Sequence, residues 1–266
     1  MRDKIQHLLT ALRCNGIARA LDEELDRAER EATPTPETLY RLLAQEAAHR
    51  RERSLAYRLD QAKLPWRWTL DSFPFARQPG VNKSHILTLA GLDFLRRGEN
   101  VLLIGKPGTG KSGIAIGLLR EACLNGYRGR FYNAQTLLDE LYTSLADRST
   151  TKLLTQLSHL QPLVIDELGY LTLKPEQINA FFRLMDQRYN RVSTIITSNL
   201  DTSEWYQLFH NKPLVDALLD RLQHHCIKIC INGPSLRDPG LTAADTQPTT
   251  PATPKTKSPR RTAKPK

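Results

Sequence analysis

Apolar side chains recur at helical spacing through the first part of the chain. The pattern begins with Ile5, Leu8, Leu9 and Leu12, and the turn-forming Asn-Gly pair at residues 15–16 interrupts it. A second helix is predicted over residues 18–31. A third begins at residue 35, where a threonine cap, a proline and a glutamate follow one another. We therefore expect a small helical module over residues 1–64.

Short, uninterrupted apolar runs dominate the second part of the chain. Such runs are typical of strands that are buried on both faces of a parallel sheet. Such runs lie at residues 101–104 and 163–165, further strands are predicted at 193–197 and 227–231, and 130–133 is a short candidate. Helical patterns accompany them at residues 84–96, 113–119 and 214–219. With 266 residues and 40% hydrophobic content, the chain can bury one α/β core and still carry a small extra module.

The run at residues 101–104 leads directly into a glycine-rich loop. Residues 105–112 match the phosphate-binding loop G-x-x-x-x-G-K-[ST] at every fixed position, and the flanking strand and helix patterns argue against an accidental match. Glycines let backbone N–H groups close around phosphates, and the following helix N-terminus adds partial positive charge. The loop predicts binding of a nucleoside triphosphate, with Lys111 on the β- and γ-phosphates and Ser112 on magnesium. Its residues are Gly105, Lys106, Pro107, Gly108, Thr109, Gly110, Lys111 and Ser112.

Two adjacent carboxylates follow the apolar run at residues 163–165. Asp166 would hold magnesium, directly or through water, and Glu167 would position and polarise an attacking water. The second role is needed for hydrolysis and not for transfer to another substrate. Asn199 follows the next predicted strand, at residues 193–197, and would sense the γ-phosphate or the lytic water. The alternative is structural, since acids cap helices after strands and asparagine is common in turns.

A stretch rich in proline and aromatic residues, residues 65–83, joins the two parts of the chain. We expect an extended linker that is tucked against the core. A linker that enters just before a phosphate-binding loop can cover the nucleotide base. Phe73 and Phe75 are therefore interpreted as packing residues first and as base contacts second.

The formal net charge of +10 indicates a polyanionic partner. Much of this charge lies near the C-terminus, where proline, threonine, lysine and arginine dominate from residue 246 onward. Such a composition cannot bury enough surface to offset the entropy of ordering, so residues 240–266 are predicted to be a disordered basic tail. The tail is either a flexible phosphate-binding arm or an incidental solubilising segment.

The third predicted helix is a second basic segment. It could lie along a nucleic-acid backbone, or its charges could simply face solvent; Trp66 and Trp68, which follow it, favour contact with DNA or a partner. Its candidate DNA contacts are Arg50, Arg51, Arg53, Arg58 and Lys63.

The longest apolar runs and the cysteines indicate the cellular compartment of the protein. No run approaches the roughly 18 uncharged residues of a membrane helix, so we expect a cytoplasmic protein without a membrane partner. The four cysteines do not suggest a disulfide framework. Cys226 and Cys230 are predicted to share a buried face of the last strand, in preference to a metal site with His224 and His225.

Five motifs in sequence order resemble the IstB/DnaC-like branch of the AAA+ ATPases. They are the phosphate-binding loop, residues 163–167, Thr197-Ser198-Asn199, Asp220-Arg221-Leu222 and Gly233-x-Ser235-x-Arg237. Within that branch, the helical N-terminus, residues 46–53, the linker at 68–75 and the run at 219–225 are most similar to the IstB transposition helper proteins. The sequence departs from the family with Ser112-Gly113 where Thr-His is common, and with Leu236 where tyrosine is usual.

The resemblance implies a five-stranded parallel P-loop (AAA+) sheet flanked by helices, with the ATPase domain over residues 84–239. It implies that the strand before Asn199 lies between the loop strand and the Asp166 strand. Arg221 would act as a finger in a neighbouring subunit's site, and Arg237 would contact phosphate. The family's role implies a homo-oligomer that assembles on duplex DNA with ATP and Mg²⁺ and recruits or stimulates an integrase-type transposase.

Other functions remain open at this point. A replicative-helicase loader of the DnaC type would bind single-stranded DNA better than duplex. A non-hydrolysing scaffold is a third hypothesis, against which Glu167 argues. A phosphotransfer kinase is a weaker fourth, because nothing in the sequence suggests an acceptor-substrate pocket.

Overall fold

Three helices precede the sheet in the computed structural model of the chain, which describes residues 1–169, 171, 173–209 and 212–237. Residues Met1–Leu236 form one compact unit, and a second unit begins at Arg237. The predicted disordered tail, residues 240–266, lies outside the described residues. The three helices are α1 (Arg2–Ala11), α2 (Asn15–Glu31) and α3 (Thr35–Gln61).

The second helix begins earlier than predicted. The Asn15-Gly16 pair forms the start of α2 and does not precede it. The backbone N–H groups of Gly16 and Ile17 donate to Oε2 of Glu46 at 2.6 and 3.2 Å. A carboxylate from α3 therefore satisfies N–H groups that have no partner within the first turn of α2. This cap is distant in sequence, so the local pattern does not reveal it.

Five parallel strands form one sheet, and this confirms the predicted fold class. The spatial order is β2-β3-β4-β1-β5, and every neighbouring pair is parallel. β4 lies between β1 and β3, as the resemblance implies. The strands are β1 (Asn100–Gly105), β2 (Arg130–Asn133), β3 (Leu163–Asp166), β4 (Thr194–Ser198) and β5 (Cys226–Ile231).

Helices cover both faces of the sheet and divide the core into two clusters. The helices are α4 (Lys83–Ala90), α5 (Asp93–Arg97), α6 (Lys111–Leu124), α7 (Ala134–Ala146), α8 (Thr150–Ser158), α9 (Pro175–Arg188), α10 (Trp205–Phe209) and α11 (Lys212–His224). One cluster contains residues of α7, α8, α9 and α11, and the other contains the linker and α4 to α6. The apolar pattern of the sequence did not indicate α7, α8 or α9.

The single helix predicted over residues 84–96 is wrong, because the chain forms two helices there. Leu92 lies between α4 and α5 with φ of 63°, a left-handed conformation that ends a helix. Its side chain is 3% exposed. The leucine at the break between α4 and α5 is therefore buried in the core.

The prediction of a shared buried face for Cys226 and Cys230 is also wrong. Cys226 is half-buried and Cys230 is exposed, whereas Ile229 and Ile231 are buried on the other face of β5. β5 is an edge strand, and the core on the cysteine face reaches only Cys226.

Among the described residues, no helix has both the length and the apolar character that a membrane crossing requires.

Candidate functional site

The glycine-rich loop joins the carboxyl end of β1 to the N-terminus of α6. Gly108 and Gly110 have φ of 81° and 93°, which glycine adopts without steric cost. Gly110 immediately precedes the first turn of α6, which begins at Lys111. Backbone N–H groups at such a helix N-terminus are suited to binding an anion.

The side chain of Lys111 is folded back onto the loop. Its Nζ donates to the carbonyl oxygens of Gly105 at 2.7 Å and Lys106 at 2.9 Å, and to Oδ1 of Asn199 at 2.7 Å. The loop and the end of β4 are therefore brought together as the sequence predicts. Charged phosphate oxygens are stronger acceptors for an ammonium group than these neutral oxygens. The lysine can thus exchange its present partners for a phosphate.

Asp166 ends β3 and is 4% exposed. Its Oδ1 accepts a hydrogen bond from the Thr197 hydroxyl at 2.6 Å, and the Ser112 hydroxyl also bonds to the carboxylate. Burial raises the pKa of Asp166, and the hydrogen bonds from Thr197 and Ser112 and the charge of Lys111 oppose this shift. Hydroxyl and carboxylate oxygens are the ligands that Mg²⁺ prefers. Ser112 and Asp166 therefore fit a magnesium ion.

Glu167 lies in the turn after β3, with an exposed side chain and a φ of 62°. This left-handed conformation is uncommon outside glycine and is found at functional sites. The turn is fixed by β4, because the Glu167 N–H donates to the Thr197 hydroxyl at 2.9 Å. On the other side, Nδ2 of Asn133 donates to Oε2 of Glu167 at 3.1 Å. The carboxylate is held at the edge of the site and still faces solvent.

Two residues of this cluster, Asn133 and Thr197, were given no role from the sequence, although Thr197 belongs to one of the five motifs. Asn133 ends β2 and is the register partner of Asp166, so the two lie side by side at the carboxyl edge of the sheet. Thr197 accepts from the Glu167 N–H and donates to Asp166, so its one hydroxyl links both acids. Their positions at the ends of predicted strands were the available signal, because the carboxyl ends of parallel strands meet at one edge.

The linker and the segment after β5 pack against the other side of the loop. The Phe73 side chain is 3% exposed, and a Cβ added to Gly110 would lie 2.7 Å from its ring. The backbone N–H of Leu236 donates to the carbonyl oxygen of Gly108 at 2.8 Å. The packing role expected for Phe73 is confirmed.

Arg221 lies at the opposite edge of the sheet from the loop. It lines a small cleft with Asn100, the first residue of β1, and its Nη2 is 3.2 Å from Oδ1 of Asp186 on α9. At about 3.3 Å per residue, β1 separates Asn100 from the start of the loop by about 16 Å. The fold does not bring Arg221 to the loop of its own chain. Arg237 is exposed and belongs to the second unit, so its phosphate contact stays a prediction.

The five candidate DNA contacts fall into different environments. Arg51 and Arg53 are exposed on α3. Arg50 is also exposed, and its Nε donates to Oε1 of Glu46 at 2.6 Å. Lys63 is exposed just beyond the helix.

Arg58 differs from the other four because it is partly buried. Its Nε donates to the carbonyl oxygen of Cys123 near the end of α6 at 2.8 Å. Just after the last residue of α3, the carbonyl oxygen of Ala62 accepts from the N–H of Phe131 in β2, also at 2.8 Å. The end of α3 is therefore attached to the core, and Arg58 takes part in that attachment.

Residues 7–241 match a family model described as IstB-like ATP binding protein. The chain belongs to this family. It is 37% identical over 234 residues to the ATP-binding protein of insertion sequence IS21 from Pseudomonas aeruginosa, covering 88% of each chain. It is also 37% identical to the ATP-binding protein of insertion sequence IS5376 from Geobacillus stearothermophilus, over 76% of this chain and 80% of that one. The resemblance to IstB proteins inferred from the motifs is confirmed.

Solved structures support the AAA+ fold of this IstB-like chain. The crystal structure of the DnaC helicase loader superposes with a TM-score of 0.55 at 24% identity, covering 64% of this chain and all of that one. The AMPPCP-bound structure of DnaA from Aquifex aeolicus superposes with a TM-score of 0.51 at 18% identity, covering 63% of this chain and 51% of that one. At these identities the likeness concerns the fold, and ATPase activity is the expectation for the family.

Proposed function

We propose that this IstB-like protein is an ATPase that serves transposition of an insertion sequence. It assembles on duplex DNA, hydrolyses ATP there, and recruits or stimulates a transposase. The observation that carries the ATPase proposal is the cluster at the carboxyl edge of the sheet. Lys111, Asp166 and Asn199 lie together beside the glycine-rich loop, and Glu167 lies in the adjoining turn.

Binding of ATP would replace the present partners of Lys111. Nζ of Lys111 would leave the carbonyl oxygens of Gly105 and Lys106 for phosphate oxygens bound at the N-terminus of α6. Asn199, which contacts Nζ, would then lie near the terminal phosphate. Ser112 and Asp166 would hold magnesium, which when bound neutralises phosphate charge.

Glu167 is the proposed base for hydrolysis. Its exposed carboxylate accepts a hydrogen bond from the attacking water and polarises it toward the terminal phosphate. Asn133 holds one carboxylate oxygen, which orients the group and leaves the other available. Asp166 does not compete for this role, because its carboxylate is buried and bonded to Thr197 and Ser112.

The role in transposition draws support from the relatives, which are ATP-binding proteins of insertion sequences and match most of this chain. A helicase-loader role has weaker support, since the likeness to the DnaC structure concerns the fold alone. The DNA partner accords with the net charge of +10.

Arg221 is proposed to act on a neighbouring subunit. Its distance from the loop of its own chain supports action across an interface, where its guanidinium would stabilise the charge of the transferring phosphoryl group. Each active site of the proposed homo-oligomer would then be complete only when two subunits meet.

The chemistry is tested with Lys111→Ala and Glu167→Gln. Lys111→Ala should abolish ATP binding, because it removes the positive charge beside the phosphates. Glu167→Gln should retain ATP binding and lower turnover by about 100- to 1000-fold, because the amide cannot accept the proton of water. Binding of a fluorescent ATP analogue and release of phosphate measure the two effects.

Glu176→Gln is the matched control for this experiment. Glu176 is an exposed glutamate in the first turn of α9, and its neutralisation should leave turnover unchanged. Near-parental hydrolysis by Glu167→Gln would show that the catalytic assignment is wrong.

A further inference from the structure

The side chain of Gln78 connects three segments of the molecule. It lies in the linker and is fully buried, with 0% exposure. Its Nε2 donates to the carbonyl oxygen of Thr109 in the loop at 3.1 Å and to that of Pro234, after β5, at 2.9 Å. Both partners are acceptors, so the amide must present its NH₂ group to them.

The contact with Thr109 fixes the orientation of one peptide group of the loop. The carbonyl of Thr109 and the N–H of Gly110 belong to the same planar trans peptide, and they point in opposite directions. Because Gln78 holds the carbonyl on the linker side, the Gly110 N–H is directed to the other side. Gly110 precedes the first turn of α6, where N–H groups bind anions.

The environment of the remaining polar atom of the amide, Oε1, indicates that Gln78 does more than fill space. Oε1 is buried and has no hydrogen-bond partner within the described part of the chain; it lies against the backbone of Gly233. A buried acceptor without a donor costs free energy, and an apolar side chain of the same length would avoid that cost. The contribution of the amide is therefore its pair of donor contacts.

We propose that Gln78 is a positioning residue of the nucleotide site, which presets the Gly110 N–H for a phosphate by holding the Thr109 carbonyl. The inference rests on the proposed binding of ATP. Backbone N–H groups of this type of loop surround the α- and β-phosphates, which ATP and ADP share. The contact is the same in the ground state and the transition state, so Gln78 affects affinity for both nucleotides and not turnover.

The test replaces Gln78 by a side chain of similar size without donors. Gln78→Met should weaken binding of fluorescent ATP and ADP analogues, in the presence of Mg²⁺, by about tenfold each. Turnover at saturating ATP should stay within about twofold of the parental value, as expected when uniform binding is lost. Gln78→Glu should bind still more weakly, because a carboxylate oxygen facing two carbonyl oxygens is repelled.

Asn82→Ala is the matched control, because Asn82 is an exposed residue of the same linker. Its Oδ1 accepts from the N–H of His85 at 3.1 Å and caps α4. The substitution should lower the melting temperature and leave both nucleotide affinities unchanged. An equal loss of affinity in this control would attribute the effect to linker stability and overturn the proposal.

Folded Gln78→Met protein that binds both analogues as tightly as the parental chain would also overturn it. If Gln78→Met does not fold, Gln78→Asn takes its place, because it keeps the amide but is one methylene too short to span both carbonyls. It should bind about threefold more weakly, and unchanged affinity would overturn the proposal. Failure of the parental protein to bind either analogue is a different outcome, since it overturns the proposed function itself.

Discussion

At the scale of single residues, Arg188 shows that the protein uses a charged group inside its core. The side chain is 2% exposed, and burial lowers the pKa of its guanidinium to about 9, so it stays charged at neutral pH. Nη1 donates to the carbonyl oxygens of Leu157 at 2.6 Å and Leu160 at 2.9 Å. Nε donates to the Thr194 hydroxyl and Nη2 to the carbonyl of Ser193. One planar group thus joins the end of α8 to the start of β4.

Arg188→Lys should therefore destabilise the fold although it conserves the charge. Lysine has a single ammonium group and cannot reproduce the guanidinium fork, so buried carbonyls lose their donors. We expect a decrease of about 2–4 kcal/mol in the free energy of unfolding, measured by denaturant titration. Arg183→Lys, an exposed position on the same helix, is the control. A change below about 0.5 kcal/mol at Arg188 would contradict the structural role.

At the scale of elements, α3 combines attachment to the core with a basic surface. Its C-terminal part is attached to α6 by Arg58, whereas Arg51 and Arg53 point to solvent. Arg50 pairs with Glu46, which also caps α2. The structure therefore distinguishes the arginines that hold the N-terminal helices in place from those available to a partner.

The double substitution Arg51→Gln with Arg53→Gln should weaken duplex binding and flatten its salt dependence. Each lost phosphate contact should reduce the slope of log K against log salt by about 0.9. Fluorescence anisotropy with an unrelated duplex at several salt concentrations measures this slope. The control neutralises Arg96 and Arg97, two exposed arginines at the end of α5. If both double variants have the parental slope, the exposed face of α3 does not contact DNA.

At the scale of the whole molecule, the two edges of the sheet have different roles in the proposed assembly. The carboxyl edge holds the loop and the acids, while Arg221 lies at the amino edge beside Asp186. A monomer cannot bring these two edges together. The proposed site therefore requires a neighbour that presents its Arg221, and activity becomes a property of the oligomer.

Mixing two inactive variants tests this requirement. Arg221→Ala should bind ATP and lose about 10³- to 10⁵-fold in turnover. Lys111→Ala retains Arg221, so the mixture with Arg221→Ala should recover part of the ATPase activity on DNA, increasingly with protein concentration.

The control is a mixture of Lys111→Ala with Glu167→Gln. Both substitutions damage the same site of their own subunit, so this pair should stay inactive at every concentration. The mixture of Lys111→Ala with Arg221→Ala could stay inactive while both variants assemble together on DNA. That result would mean that Arg221 acts within its own subunit or has only a structural role.

Local sequence patterns predict the buried parallel strands, the phosphate-binding loop and the acids that follow β3. These features are local: a run of apolar residues or a fixed spacing specifies each within a few positions. The same locality explains the errors at Leu92 and Cys230, because packing by distant elements buries Leu92 and leaves Cys230 exposed.

The side chains that hold the site in place are brought there by tertiary packing. Gln78 and Pro234 are 156 residues apart and Asn133 and Glu167 are 34 apart, yet each pair shares a hydrogen bond. No periodicity encodes such pairs, because strand order and register determine which chain segments become neighbours. The chemical groups of the proposed active site could thus be predicted from the sequence, whereas the groups that orient them depend on how the five strands are ordered and the linker is packed.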